Sequence, residues 1–160
     1  MAKSEIITSE VESSTFDPEM FMSQDTEEEM ETKYTPIPED DYVSMIDETL
    51  SLKEVNGTPV IDLYHIIDAP DLAATLGLDR ISVKQSIFLD VGPDGTLAVG
   101  TNKNVNLGRL RAALGQNKSG QRWNPNMLAG AGPLRIKVTK SPDKNDPTII
   151  YNRVVATTRM

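Results

Sequence analysis

Some stretches of the chain have the apolar pattern of a β-strand and one has the spacing of a helix. The order of these stretches restricts the fold more than any other feature of the sequence. Short β-type runs, expected at residues 42–52, 60–67 and 82–91, come first. Leu107, Leu110 and Leu114 then recur at the spacing of one helical face. Alternation returns at residues 134–140, and a last β-forming run covers residues 149–156. The expected element order is therefore three strands, one helix and two strands.

This order predicts a mainly β fold, a five-stranded OB-like barrel with one helix after the third strand. Asn56-Gly57 supports it, because this dipeptide favours a tight hairpin turn between the first two strands. The helical leucines are expected to point inward and close one end of the barrel. Other small β-barrels and α+β sheets share parts of this element order and stay open as alternatives.

Charge is distributed unevenly along the chain, and this distribution indicates an acidic N-terminal arm and a separate folded domain. Residues 1–50 carry a balance of −13, whereas residues 51–160 carry +5. Residues 1–33 are expected to form a disordered acidic arm, and residues 34–160 the barrel domain, with the boundary at the prolines Pro36 and Pro38. Within the arm, Asp17-Pro18 is a favourable helix start. The apolar residues around it, which would dock on the chain's own domain or on a partner, are Phe16, Met20, Phe21 and Met22.

Composition excludes several classes of protein. The chain has no cysteine and one histidine, which argues against thiolate metal sites, disulfide scaffolds and cysteine nucleophiles. No apolar stretch approaches 18 residues, and no secretory signal is recognisable at the N-terminus. We therefore expect a small, soluble, cytoplasmic protein without cofactor or metal, and not an enzyme.

A basic domain beside an acidic arm favours a nucleic-acid surface, although the same cations can simply solvate the domain. Binding a single strand requires cations for phosphates and aromatic rings for bases. The cationic candidates are Lys84, Lys103, Arg109, Arg111, Lys118, Arg122, Arg135, Lys137, Lys140 and Arg153. We expect Arg135, Lys137 and Lys140 on one face of the fourth strand.

The aromatic candidates for stacking are Trp123 and Tyr151. Trp123 is expected either to stack bases or to form a lid on the barrel, and the position of Tyr64 stays open. Phe88 is expected in the core. His65 is interpreted as an ordinary strand histidine.

Several stretches of the chain resemble small bacteriophage proteins. They read TFDP at residues 15–18, KYTPIPE at 33–39, QSIFLD at 85–90, GRLRAALGQN at 108–117, GQRW at 120–123 and IYNRV at 150–154. The resemblance implies an OB-fold protein that binds single-stranded DNA during phage replication or recombination in the infected bacterial host. Many single-strand binders carry an acidic tail at the C-terminus, whereas the acidic segment here is N-terminal.

The leading functional expectation is thus single-stranded DNA binding by a basic groove with aromatic stacking. RNA as the ligand, the oligomeric state and the arm's role are left open. The arm either competes with DNA for the groove, recruits a phage replication or recombination protein, or only keeps the protein in solution. The alternative function is a structural or host-interaction protein that uses the barrel as a scaffold.

Overall fold

A computed structural model describes residues 15–160 of the chain. It divides into two units, with the boundary between Thr32 and Lys33. The part of the arm prediction that concerns residues 1–14 lies outside the described residues.

Among the described residues of the first unit, Pro18–Ser23 form a short helix, α1. Asp17 caps it: the carboxylate accepts hydrogen bonds from the backbone N–H groups of Glu19 at 3.0 Å and Met20 at 3.5 Å. The expected helix start is therefore confirmed. The rings of Phe16 and Phe21 lie 5.3 Å apart, and no residue of α1 is buried within its unit.

The second unit is mainly β and consists of a curled antiparallel sheet with a few short helices. Its strands are β1 (Asp40–Ile46), β2 (Ser51–Val55), β3 (Thr58–Ile67), β4 (Ile81–Phe88), β5 (Leu134–Pro142) and β6 (Ile150–Thr158). The helices are α2 (Pro70–Leu76), α3 (Val105–Ala113) and a 3₁₀ helix at Pro125–Leu128. None of the helices described has the length and apolar character needed to cross a membrane.

The sheet has six strands because the first expected strand is interrupted. It stops at Ile46, where the polar residues Asp47, Glu48 and Thr49 break the apolar pattern, and resumes at Ser51. Both pieces pair with one edge of β3, while β4 pairs with the other edge. β1 also pairs with β5, and β5 with β6. Counted as one bent strand, β1 and β2 restore the expected number of five.

The hairpin and the helix follow the sequence expectations. Asn56 and Gly57 both have positive φ, 53° and 81°, as a two-residue hairpin turn between right-twisted strands requires. On α3, Leu107 and Leu110 are buried and belong to the same hydrophobic core as the inward residues of the sheet, and Leu114, just after the helix, is half-buried. The helix therefore contributes one face to the core, as its period indicates.

One side-chain expectation is wrong. Phe88 is 54% exposed, because the inward positions of β4 are taken by Ile81, Val83 and Ile87, one residue out of phase. Arg135, Lys137 and Lys140 are all exposed on β5, and the pairing of β5 with β6 shifts its register between Lys137 and Val138. The expectation that these three cations share one face stays a prediction.

β4 and β6 are adjacent edge strands that do not pair. β3 runs antiparallel to both β1 and β4, and β5 antiparallel to both β1 and β6, so β4 and β6 point in the same direction. They lie side by side, yet no ladder of hydrogen bonds joins them. The curled sheet therefore stays open along this line.

Candidate functional site

A cleft of about 790 Å³ opens between the unpaired edge strands β4 and β6, and we call it the β4–β6 cleft. One wall is the second half of β4, residues 84–88, and the other is residues 151–157 of β6. Asn106 and Arg109 of α3 complete the lining. Three separate elements thus supply side chains to one open surface.

The charge of the β4–β6 cleft is uniformly positive. Lys84, Arg109 and Arg153 line it, and no carboxylate does. All three cations are exposed, and none of them forms a salt bridge within residues 15–160. Such an arrangement concentrates anionic ligands at the cleft, because cations of one sign line a surface that is open to solvent.

Aromatic rings flank these cations. Phe88 and Tyr151 line the cleft with about half of their surface exposed. Tyr64 on β3 lies directly opposite Lys84 and is 38% exposed. The Asp143 carboxylate interacts with the Tyr151 hydroxyl and raises its pKa, so the ring remains neutral. Exposed aromatic faces beside cations can stack bases while phosphates are neutralised.

The carboxylate that faces Lys84 from the neighbouring strand is already compensated. Asp62 is nearly buried, pairs with Lys53 Nζ at 2.9 Å and accepts a hydrogen bond from the Ser86 hydroxyl. Burial alone would raise the pKa of Asp62, but the hydrogen bonds from Ser86 and Lys53, together with the charges of Lys84 and Lys53, outweigh it and lower the pKa. Lys53 forms the direct ion pair with Asp62, whereas Lys84 acts on the carboxylate without a salt bridge.

The structure brings together four of the sequence-predicted site residues, Lys84, Arg109, Tyr151 and Arg153. Arg135, Lys137 and Lys140 are exposed on β5, outside the cleft lining. Lys103, Lys118 and Arg122 are exposed in the connections before and after α3. None of these six residues lines the cleft.

Arg111 and Trp123 are held within the protein. The Arg111 guanidinium lies 4.2 Å from the centre of the Trp123 ring and donates hydrogen bonds to the Gln116 carbonyl. Trp123 Nε1 donates to Gln116 Oε1 at 2.8 Å, and the half-buried ring packs against the core. Of the two alternatives for Trp123, this arrangement favours the lid.

His65 is a buried residue of the sheet interior. Gln85 Oε1 accepts a hydrogen bond from Nε2 at 2.7 Å, which leaves Nδ1 to accept from the Ser44 hydroxyl at 3.1 Å. Burial lowers the pKa of His65, so the imidazole is neutral at pH 7. Ser44 is 1% exposed, so no substrate reaches this serine–histidine pair. Within residues 15–160, no three metal-ligating side chains cluster.

Sequence reasoning missed Phe88 in the cleft lining and left open the exposed position of Tyr64 beside Lys84. A signal for Phe88 was available: Ile81, Val83 and Ile87 share one parity, which places Phe88 on the opposite face. For Tyr64 no local signal existed. Its neighbours Leu63 and His65 are buried, and Ile66 on its own face is half-buried.

Comparison with protein-family models, curated proteins and solved structures finds no match to this chain. The resemblance to phage proteins stays a prediction from the sequence.

Proposed function

We propose that this protein binds single-stranded DNA along the β4–β6 cleft. The observation that carries the proposal is the lining itself: Lys84, Arg109 and Arg153 lack internal ion pairs among the described residues, Phe88 and Tyr151 are exposed, and no carboxylate is present. The cations would bind phosphates, and the rings would stack bases. The role is one of binding rather than catalysis.

The pairing of the strands supports an OB-like barrel. With β1 and β2 taken as one bent strand, each strand neighbours the partner that a five-stranded Greek-key barrel requires, and α3 lies between the third and fourth strands. OB-folds bind oligonucleotides on the face of their second and third strands. Here those strands are β3 and β4, which carry Tyr64, Lys84 and Phe88.

We further propose that the binding serves phage DNA replication or recombination in an infected bacterial cell. The support is the resemblance of the sequence stretches given above. The exposed apolar residues of α1 and its surroundings would recruit a protein of the same machinery.

The test is binding of a labelled 12-nucleotide oligo-dT, measured by fluorescence anisotropy over a series of salt concentrations. We expect Arg153→Ala to lower the affinity and to reduce the log–log salt slope by about 0.7, because one phosphate contact is lost. Lys137→Ala is the matched control, since Lys137 is an exposed cation outside the cleft. It should leave both quantities unchanged.

Other outcomes would change the proposed site, change the proposed ligand or reject the proposal. An effect of Lys137→Ala equal to that of Arg153→Ala would move the site to β5. Tighter binding of oligo-U than of oligo-dT would identify RNA as the ligand. No salt-sensitive binding of either oligonucleotide would reject the proposal and favour the scaffold function.

A further inference from the structure

A second cleft, of about 630 Å³, adjoins the β4–β6 cleft at the start of both strands. Residues 34–37 form one side of it, and Arg80 and Tyr64 lie on the other. The two clefts share Lys84, Tyr151 and Asn152 in their linings. Because β4 and β6 run in the same direction, the two clefts form a single groove that follows β4 from Ile81 to Phe88.

The segment that follows Tyr34 is hydrogen-bonded to β6 at Ile37. Asn152 Oδ1 accepts a hydrogen bond from the Ile37 N–H at 2.8 Å, and Asn152 Nδ2 donates to the Ile37 carbonyl at 3.0 Å. Ile37 itself is buried in the core. In contrast, the Tyr34 side chain is 98% exposed within its unit. A large exposed aromatic ring thus lies at the mouth of the groove, three residues before the point where the chain is hydrogen-bonded to β6.

The charge of the second cleft continues that of the first. Arg80 and Lys84 line it, and again no carboxylate does. Arg80 reaches Asp47 only at 3.9 Å, with both side chains partly or largely exposed, and such a contact holds a guanidinium weakly. Arg80 can therefore exchange its contact with Asp47 for one with a phosphate, with little loss of free energy.

We infer that one DNA strand occupies the whole groove and that Tyr34 stacks on a base at its far end; the inference rests on the proposed function. The eight residues of β4 span about 26 Å, at roughly 3.3 Å per residue. A stacked strand rises about 3.4 Å per nucleotide, so the groove accommodates up to about eight nucleotides. This length falls within the range of site sizes of OB-folds.

The experiment compares oligo-dT of four, eight and sixteen nucleotides on the full chain. The dissociation constant should fall at least tenfold from dT4 to dT8, which exceeds the gain of about fivefold from additional binding registers. Between dT8 and dT16 only the register gain should remain. A dT8 affinity equal to that of dT4, after correction for registers, would overturn the extended groove and leave the proposed function intact.

Tyr34→Ala tests the far end of the groove. It should weaken dT8 binding between about fivefold and a hundredfold, the loss of one stacked base, and leave dT4 binding within twofold. Tyr34→Phe is the matched control and should bind dT8 like the unmodified protein, because it keeps the ring. Unchanged dT8 affinity of Tyr34→Ala, or equal losses in both variants, would overturn the role of Tyr34. No binding of any oligonucleotide to the unmodified chain would instead reject the proposed function itself.

Discussion

His65 is the single histidine of the chain, and the sheet holds it in its neutral form. It lies opposite Ile46 on β1 and Val83 on β4, and only Ser44 and Gln85 offer it hydrogen bonds. No carboxylate accepts a hydrogen bond from the ring. Protonation would therefore place a charge in the core without a compensating partner, which is unfavourable.

This placement predicts a loss of stability in mild acid. Because the folded-state pKa lies below the ordinary value of 6.5, the contribution of His65 is complete above pH 6.5 and is lost as the pH falls toward the folded-state pKa. Below pH 6.5 the free energy of unfolding should decrease by up to about 1.4 kcal/mol per pH unit. Urea unfolding at pH 7.5, 6.0 and 5.0 measures this slope.

His65→Gln supplies the comparison, because it retains a side-chain donor for Gln85 without a titratable ring. The variant should be less stable than the unmodified protein at pH 7.5, but its stability should fall less between pH 6.5 and 5. Asp62 acts in the same direction but only in stronger acid, because its lowered pKa makes stability fall below about pH 4. Parallel pH profiles of the two proteins would contradict the assignment.

At the scale of elements, the connection from α3 to the 3₁₀ helix is organised around Trp123. Arg111 covers the ring from α3, and Gln116 bonds the indole N–H while its own amide donates to the Met127 carbonyl at 3.0 Å. These contacts join the end of one helix to the start of the next. Trp123 is therefore expected to stabilise the loop rather than bind bases.

Trp123→Ala should consequently lower mainly the stability of the protein, whereas Phe88→Ala should lower mainly its affinity for DNA. Trp123→Ala should cost about 2 kcal/mol or more and lower the melting temperature by roughly 5–10 °C, with oligo-dT affinity within twofold at a temperature where the protein is folded. Phe88→Ala should cost less than about 1 kcal/mol and weaken binding about fivefold or more. Circular-dichroism melts and anisotropy on both variants measure the contrast. A thermally unaffected Trp123→Ala that binds poorly would restore Trp123 to the site.

At the scale of the whole molecule, the two units of the chain differ in charge as well as in structure. Residues 15–32 contain seven carboxylates and no cation, and α1 buries none of its side chains within its unit. Within residues 15–160, the unit Lys33–Met160 contains every strand and the entire core. The second unit therefore has what a domain needs to fold by itself.

Limited digestion with a glutamate-specific protease should cut first between Glu27 and Glu31 and leave a resistant fragment that extends to Met160. Glu48 and Glu54 are equally exposed as side chains, but they lie next to or within paired strands and should resist cleavage. Mass spectrometry of the early products identifies the cut sites. Early cleavage after Glu48 or Glu54 would show that the sheet is not the stable unit.

The sequence alone determined the local structure. Periods of two and of 3.6 residues located the sheet strands and α3, because each reflects which side chains of one element face the core. Asn56-Gly57 specified the hairpin through positive φ, and Asp17 specified the start of α1 through its carboxylate. These properties depend on residues close together in the chain.

Only the tertiary structure decided which cations meet. Lys84, Arg109 and Arg153 come from three elements, and no local pattern distinguishes them from Lys118 or Lys137. What joins them is the open line between β4 and β6, which results from how the sheet curls and from strands far apart in sequence. The same long-range packing placed the Trp123 ring beneath Arg111. A binding surface is a sum of distant residues, whereas a strand or a turn is a property of neighbours.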